Sequence, residues 1–128
     1  MKKIVLSTVL ISVFAIVGFS QTLNKNTLCK KWYLQKYEVM WIDYTPKEKE
    51  KNDYIHLKTD MTYTTIDEGT FSMGKWKYNA SKKYFILYNN KDEGLKFIVD
   101  ELKKNTMIVN VEIEEMDGVD IHFGTKEK

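Results

Sequence analysis

Asp53-Tyr54-Ile55-His56-Leu57-Lys58-Thr59-Asp60-Met61-Thr62-Tyr63-Thr64-Thr65-Ile66-Asp67 contains two short runs of alternating character separated by a small polar break. Period-two alternation sends successive side chains to opposite faces of a strand, so Ile55 and Leu57 share one face and Tyr63 and Thr65 share a face of the next. A connection as short as residues 59 to 61 returns the chain beside itself. Pairing Leu57 with Tyr63 then puts all four side chains on the same side of one hairpin.

The same alternation recurs from Lys31 to the C-terminus, and after residue 20 no useful window keeps apolar residues at helical spacing. The expected fold is therefore all-β. Eight segments carry the pattern: residues 31 to 42, 53 to 58, 62 to 67, 75 to 79, 84 to 88, 95 to 102, 106 to 114 and 119 to 123. The first changes phase. Trp32 and Leu34 share a face that Tyr37, Val39 and Trp41 rejoin only if an extra residue sits near Gln35-Lys36, which predicts a bulge and a bend.

The connections between these segments sort by parity. The second, fourth and sixth (59 to 61, 80 to 83, 103 to 105) are three or four residues long, whereas the first, third and fifth (43 to 52, 68 to 74, 89 to 94) run to ten, seven and six. The seventh, 115 to 118, is short and carries the turn pair Asp117-Gly118. Tight alternating connections require sequential antiparallel neighbours, and eight of these can close on themselves and remove their edges. The expectation is an eight-stranded antiparallel up-and-down β-barrel with its longer loops at one rim. An open meander or a two-sheet sandwich would use the same strands.

Ahead of this domain, Lys2 and Lys3 precede an apolar run from Ile4 to Phe19, and Gly18 and Ser20 place small residues before Gln21. That is the layout of a cleavable signal peptide, dividing the chain into 1–20 and a single domain 21–128. The run of 16 residues is shorter than the ~20 that cross a bilayer, so no stable membrane span is expected after cleavage. The expected location is secreted or periplasmic. Loss of Lys2 and Lys3 leaves 18 lysines against 18 acidic residues, so the net charge of +2 belongs to the precursor. All basic residues are lysine. Without arginine the planar fork that grips phosphates and base edges is missing, which argues against nucleic-acid binding. Cys29 is the sole cysteine and reads as a buried small hydrophobe.

The segments Leu28-Cys29-Lys30-Lys31-Trp32-Tyr33-Leu34, Ile55 to Tyr63, Gly74-Lys75-Trp76-Lys77-Tyr78, and Val99 and Leu102 before Met107-Ile108-Val109 occur in an order and spacing that resembles the small secreted bacterial lipocalin-like domains. The resemblance covers nearly the whole of 21–128. Lys30 and Met61 stand where lipocalins carry glycines, and the arginine that often packs on the first tryptophan has no counterpart. The resemblance implies an eight-stranded barrel, a mouth guarded by the loop after the first strand, and in some members a small apolar ligand inside.

A barrel of eight strands is either filled by its side chains or open enough for one small ligand. If a cavity exists, its lining is expected from Tyr37, Val39, Trp41, Tyr63, Thr65, Trp76 and Phe85, apolar walls with a few hydroxyls and an indole N–H. Trp32 is expected to plug the opposite end. The loop 43 to 52 holds Pro46 and the sign-alternating run Lys47-Glu48-Lys49-Glu50-Lys51, which reads as a solvated connection or a lid.

Other chemistries find little support. His56 and His122 are far apart and lack a second ligand at metal spacing. Glu112 and Glu114 alternate with Val111 and Ile113, which assigns the carboxylates to the solvent face rather than to catalysis. Asn79-Ala80-Ser81 reads as turn chemistry. The sequence thus points to an exported non-catalytic binding protein for a small hydrophobic or aromatic molecule, with no cofactor implied. The alternative is an interaction or inhibitor module with a filled barrel, meeting a partner through loops or outer strands, with Phe71 and Met73 as apolar residues in the third loop.

Overall fold

A computed structural model describes residues 20–126; the expected leader, apart from Ser20, lies outside them. The chain folds into a closed eight-stranded antiparallel barrel with one additional strand outside it. A short helix α1 (Lys25–Leu28) precedes β1 (Lys31–Val39), the outside strand β2 (Ile42–Tyr44), β3 (Tyr54–Leu57), β4 (Thr62–Asp67), β5 (Thr70–Asn79), β6 (Tyr84–Tyr88), β7 (Gly94–Leu102), β8 (Thr106–Val111) and β9 (Val119–Gly124). From β3 to β9 each strand pairs with the next, and β9 pairs with β1 to close the sheet. Leu57 stands opposite Tyr63, as the opening hairpin predicts.

The register of β1 on β9 shifts between Leu34 and Lys36, where the sequence phase changes. The bulge lets Trp32 and Leu34 below it and Tyr37 above it all face inward. A second shift in β7, between Val99 and Glu101, has no comparable sequence mark.

Three element boundaries differ from the sequence expectation by more than one residue. The first strand ends at Val39 rather than residue 42, because Met40 and Trp41 both take positive φ (51° and 67°) and reverse the chain into β2. Neither residue type favours that conformation, so nothing in the sequence announces a turn. The expected loop 68 to 74 is a two-residue turn at Glu68-Gly69, after which β5 pairs with β4 from Thr70 onward. Its alternation is inverted, with Phe71 and Met73 outward and Ser72 inward, which disguises it as a loop. The seventh segment stops at Val111 rather than residue 114, and a 3-10 turn at Glu114–Met116 makes the last connection seven residues long, 112 to 118.

These changes leave the two barrel ends unlike one another. One end is tied by 58 to 61, 80 to 83 and 103 to 105. The other carries the long segment 40 to 53, the β4–β5 hairpin, and the connections 89 to 93 and 112 to 118. β5 is longer than β6: it meets β4 from Thr70 but β6 only from Lys75. In the tight turn between β3 and β4, Met61 takes φ 66°, so this is the left-handed position for which glycine would be the natural residue.

Helix α1 closes the tied end. Asn24 caps it by accepting the Thr27 amide at 2.9 Å, while the Thr27 hydroxyl accepts the Asn24 amide at 3.0 Å. Leu23, Leu28, Leu102 and Met107 are buried with the fully buried Trp32, whose indole N–H donates to the Leu28 carbonyl at 2.9 Å. Among the described residues no helix is long and apolar enough to cross a membrane.

Candidate functional site

The barrel is not filled to its open end. A cavity of about 550 Å³ opens there, within the size range of small-molecule pockets. Leu34, Ile55, Leu87, Leu95, Phe97 and Ile121 supply its apolar walls, and Phe123 and Val111 continue them. Ile113 and Met116, from the connection after β8, border the opening. Gly74 lies beside Tyr63 on the neighbouring strand. A Cβ there would collide with the Tyr88 carbonyl and the Tyr63 ring, so the close approach of β5, β6 and Tyr63 requires glycine.

Of the residues the sequence proposed for the lining, Tyr37, Tyr63 and Thr65 are brought together on the cavity wall. Trp76 and Phe85 do face inward but lie too deep. Trp76 is fully buried and donates its indole N–H to the Lys58 carbonyl of the tied end at 3.0 Å. Phe85 lies in the floor, stacked on Phe97 with ring centroids 4.8 Å apart, and only Phe97 reaches the cavity surface. Val39 is half-buried opposite Val119, above the lining. Trp41 is 89% exposed at the turn into β2, because the backbone reverses before the inward phase reaches it.

The sequence reading missed the polar rim. Glu50, Asp53, Asp67, Ser72, Asn89 and Glu93 all line the cavity. Five of them continue an inward phase past the apolar part of a strand: Asp53 before Ile55, Asp67 after Thr65, Ser72 before Gly74, Asn89 after Leu87 and Glu93 before Leu95. That continuation is the signal that locates them. Glu50 comes instead from the 3-10 turn of the first connection, inside the charge-alternating run.

The rim is electrostatically one-sided. The Tyr37 hydroxyl donates to Glu50 Oε2 at 2.6 Å, and Glu50 Oε1 accepts the Lys47 amide at 3.1 Å. Burial, the bond to Glu50 and the nearby carboxylates together hold the Tyr37 phenol well above its ordinary range. Burial also raises the Tyr63 phenol. Asp53 is 8% exposed, and its Oδ1 accepts the Glu68 amide at 2.8 Å. Burial pushes its carboxyl up to about 6; the charges of Asp67, Glu50 and Glu68 add to the shift and the Glu68 amide opposes it. Lys49, the residue before Glu50, pairs with Glu68 at 3.4 Å.

The remaining chemistry-bearing residues lie elsewhere. His122 pairs with Glu38 at 3.1 Å, and neither histidine nor Cys29 lines the cavity. Burial raises the Cys29 thiol and lowers the His56 imidazole. Glu112, Glu114 and Glu115 are exposed, and Glu112 pairs with Lys96 at 3.5 Å. Among the described residues no three His, Cys, Asp or Glu side chains are arranged to hold a metal ion. Compared with known proteins, the chain matches no family model, no curated protein and no solved structure.

Proposed function

We propose that this protein is an exported, non-catalytic, lipocalin-like binder that holds a small molecule with an apolar or aromatic body in the open end of its barrel. The cavity of about 550 Å³, walled by aliphatic and aromatic side chains and edged by hydroxyls and carboxylates, is the observation that carries this reading. The lipocalin-like assignment draws on the ordered segments around Trp32, Tyr63 and Trp76, and on a barrel of the same strand number and connectivity. Export draws on the three-part layout of residues 1–20.

Binding is tested with the neutral dye phenylnaphthylamine, whose fluorescence rises in apolar surroundings. A saturable one-to-one response is expected, and Thr65→Trp, which puts an indole into the cavity, should remove it while the fold persists. A response that never saturates, or one untouched by Thr65→Trp, would count against the cavity as the site. N-terminal sequencing of the exported protein should begin at Gln21.

A second reading, docking to a protein partner through the outer surface, has in its favour the exposure of Phe71 (55%) and Met73 (65%) on the outside of β5. If it holds, replacing both with serine should leave dye binding unchanged and abolish partner capture by crosslinking. Crosslinked species that survive the double replacement would exclude this surface.

A further inference from the structure

We propose that the cavity takes an organic cation, a protonated amine on an apolar or aromatic body, with the ammonium seated among Glu50, Asp53, Asp67 and Glu93 and the body inside the barrel. This rests on the cavity being the binding site.

The first support is the sign of the lining. Four carboxylates border the cavity and no lysine or histidine does, although residues 21–128 hold 18 lysines against 18 acidic residues. Composition alone would not empty the rim of positive charge. The second is the lack of compensation. Among the described residues none of these four carboxylates takes part in an ion pair, and the nearby Lys49 is engaged by Glu68.

Asp53 is the decisive member. It is more than nine-tenths buried, faces the cavity, and receives one side-chain hydrogen bond, from the Glu68 amide. A buried carboxylate without a cation is unfavourable, and three further acidic groups around the same opening make it more so. A positive group entering from the cavity relieves both penalties at once, in surroundings where charge attraction is stronger than in water. An anionic amphiphile such as a fatty acid meets the opposite field. Tyr37 and Tyr63 line the same cavity, and aromatic rings also favour a cation.

The cation is organic rather than metallic. No three of these carboxylates are arranged as metal ligands. The adjoining space is apolar and far larger than an ion.

Three probes that share one ring system and differ in charge decide the matter: naphthylmethylamine, naphthylmethanol and naphthoate, titrated by calorimetry into the purified protein at neutral pH and low salt. The amine should bind roughly tenfold or more tighter than the alcohol, with naphthoate weakest, and added salt should narrow the gap. Asp53→Asn should weaken the amine roughly fivefold or more while leaving the alcohol nearly unchanged. Asp67→Asn, at an exposed rim position, should act in the same direction and guards against a folding defect in the first variant. Alcohol binding with no advantage for the amine overturns the cation assignment and leaves the cavity reading intact. Naphthoate binding tightest, or an amine preference that survives both variants, also overturns it. Failure of all three probes to bind overturns the cavity reading and this inference together.

Discussion

The two ends of the barrel are built from the same inward-facing register and come out chemically opposite. At the tied end, inward positions carry Trp32, Trp76, Leu102 and Met107, and both indole N–H groups donate to backbone carbonyls of the adjoining segments, Leu28 and Lys58. The buried side-chain nitrogens and oxygens there have partners, and the two indoles with Leu102 and Met107 fill the barrel interior. At the open end the same phase runs on into Asp53, Asp67, Ser72, Asn89 and Glu93, polar groups that border a space, with the Asn89 side-chain amide donating to Glu93 Oε1 at 3.1 Å. A strand thus changes from core to site along its own length without changing face. Where the inward residues stop being apolar, the barrel stops being filled.

The sharpest way to break this contrast is to truncate the solid end. Trp32→Ala should destabilise the fold by about 3 to 5 kcal/mol, read by urea unfolding, because it opens a large void and removes the indole hydrogen bond to the Leu28 carbonyl, which keeps only the Lys30 amide. A loss under about 1 kcal/mol would show that the tied end is not the principal core.

Asp53→Asn tests the open end, and the expected sign is reversed. The folded-state value of about 6 lies above the ordinary 3.8, so the native fold favours the protonated carboxyl. That contribution is fully present below about pH 4 and is lost as pH rises through about 6. Asparagine stays neutral and can still accept the Glu68 amide, so the variant should be more stable than the parent by about 1 to 2 kcal/mol near neutral pH, allowing for screening at a mouth open to water. The gain should vanish below pH 4. Destabilisation at neutral pH would mean the carboxylate is compensated by something other than the Glu68 amide.

The smallest effect is expected at Trp41. Its exposed ring carries none of the packing of Trp32 or Trp76, so Trp41→Ser should change stability by no more than about 0.5 kcal/mol, checked by thermal melting. A larger loss would reveal that β2 and its turn support the barrel.

Much of the fold was legible because alternation reports which face a residue occupies. It gave the eight barrel strands but not the outside strand β2, together with the pairing of Leu57 with Tyr63 and the bend after Leu34. It misplaced the strand ends where local chemistry is silent or misleading. Met40-Trp41 turns without glycine or asparagine, β5 begins with its apolar residues outside, and Ile113 prolongs the pattern beyond Val111. The site was half legible for a related reason. Alternation fixes the face but not the height along the barrel axis, which depends on the stagger of all eight strands. Tyr37, Tyr63 and Thr65 had both face and height right, whereas Trp76 and Phe85 had the face alone. Asp53, Asp67 and Glu93 carried the inward phase throughout, but the convention that charge marks solvent hid them.

The overhang of β5 beyond β6 affects how the protein behaves in concentrated solution. From Thr70 to Met73 one side of the strand has no neighbouring strand, so its peptide groups form a template that another chain can extend. Phe71 and Met73 make that template greasy as well as unsatisfied. Clumping should begin there, and a lysine introduced at Phe71 is the natural gatekeeper against it.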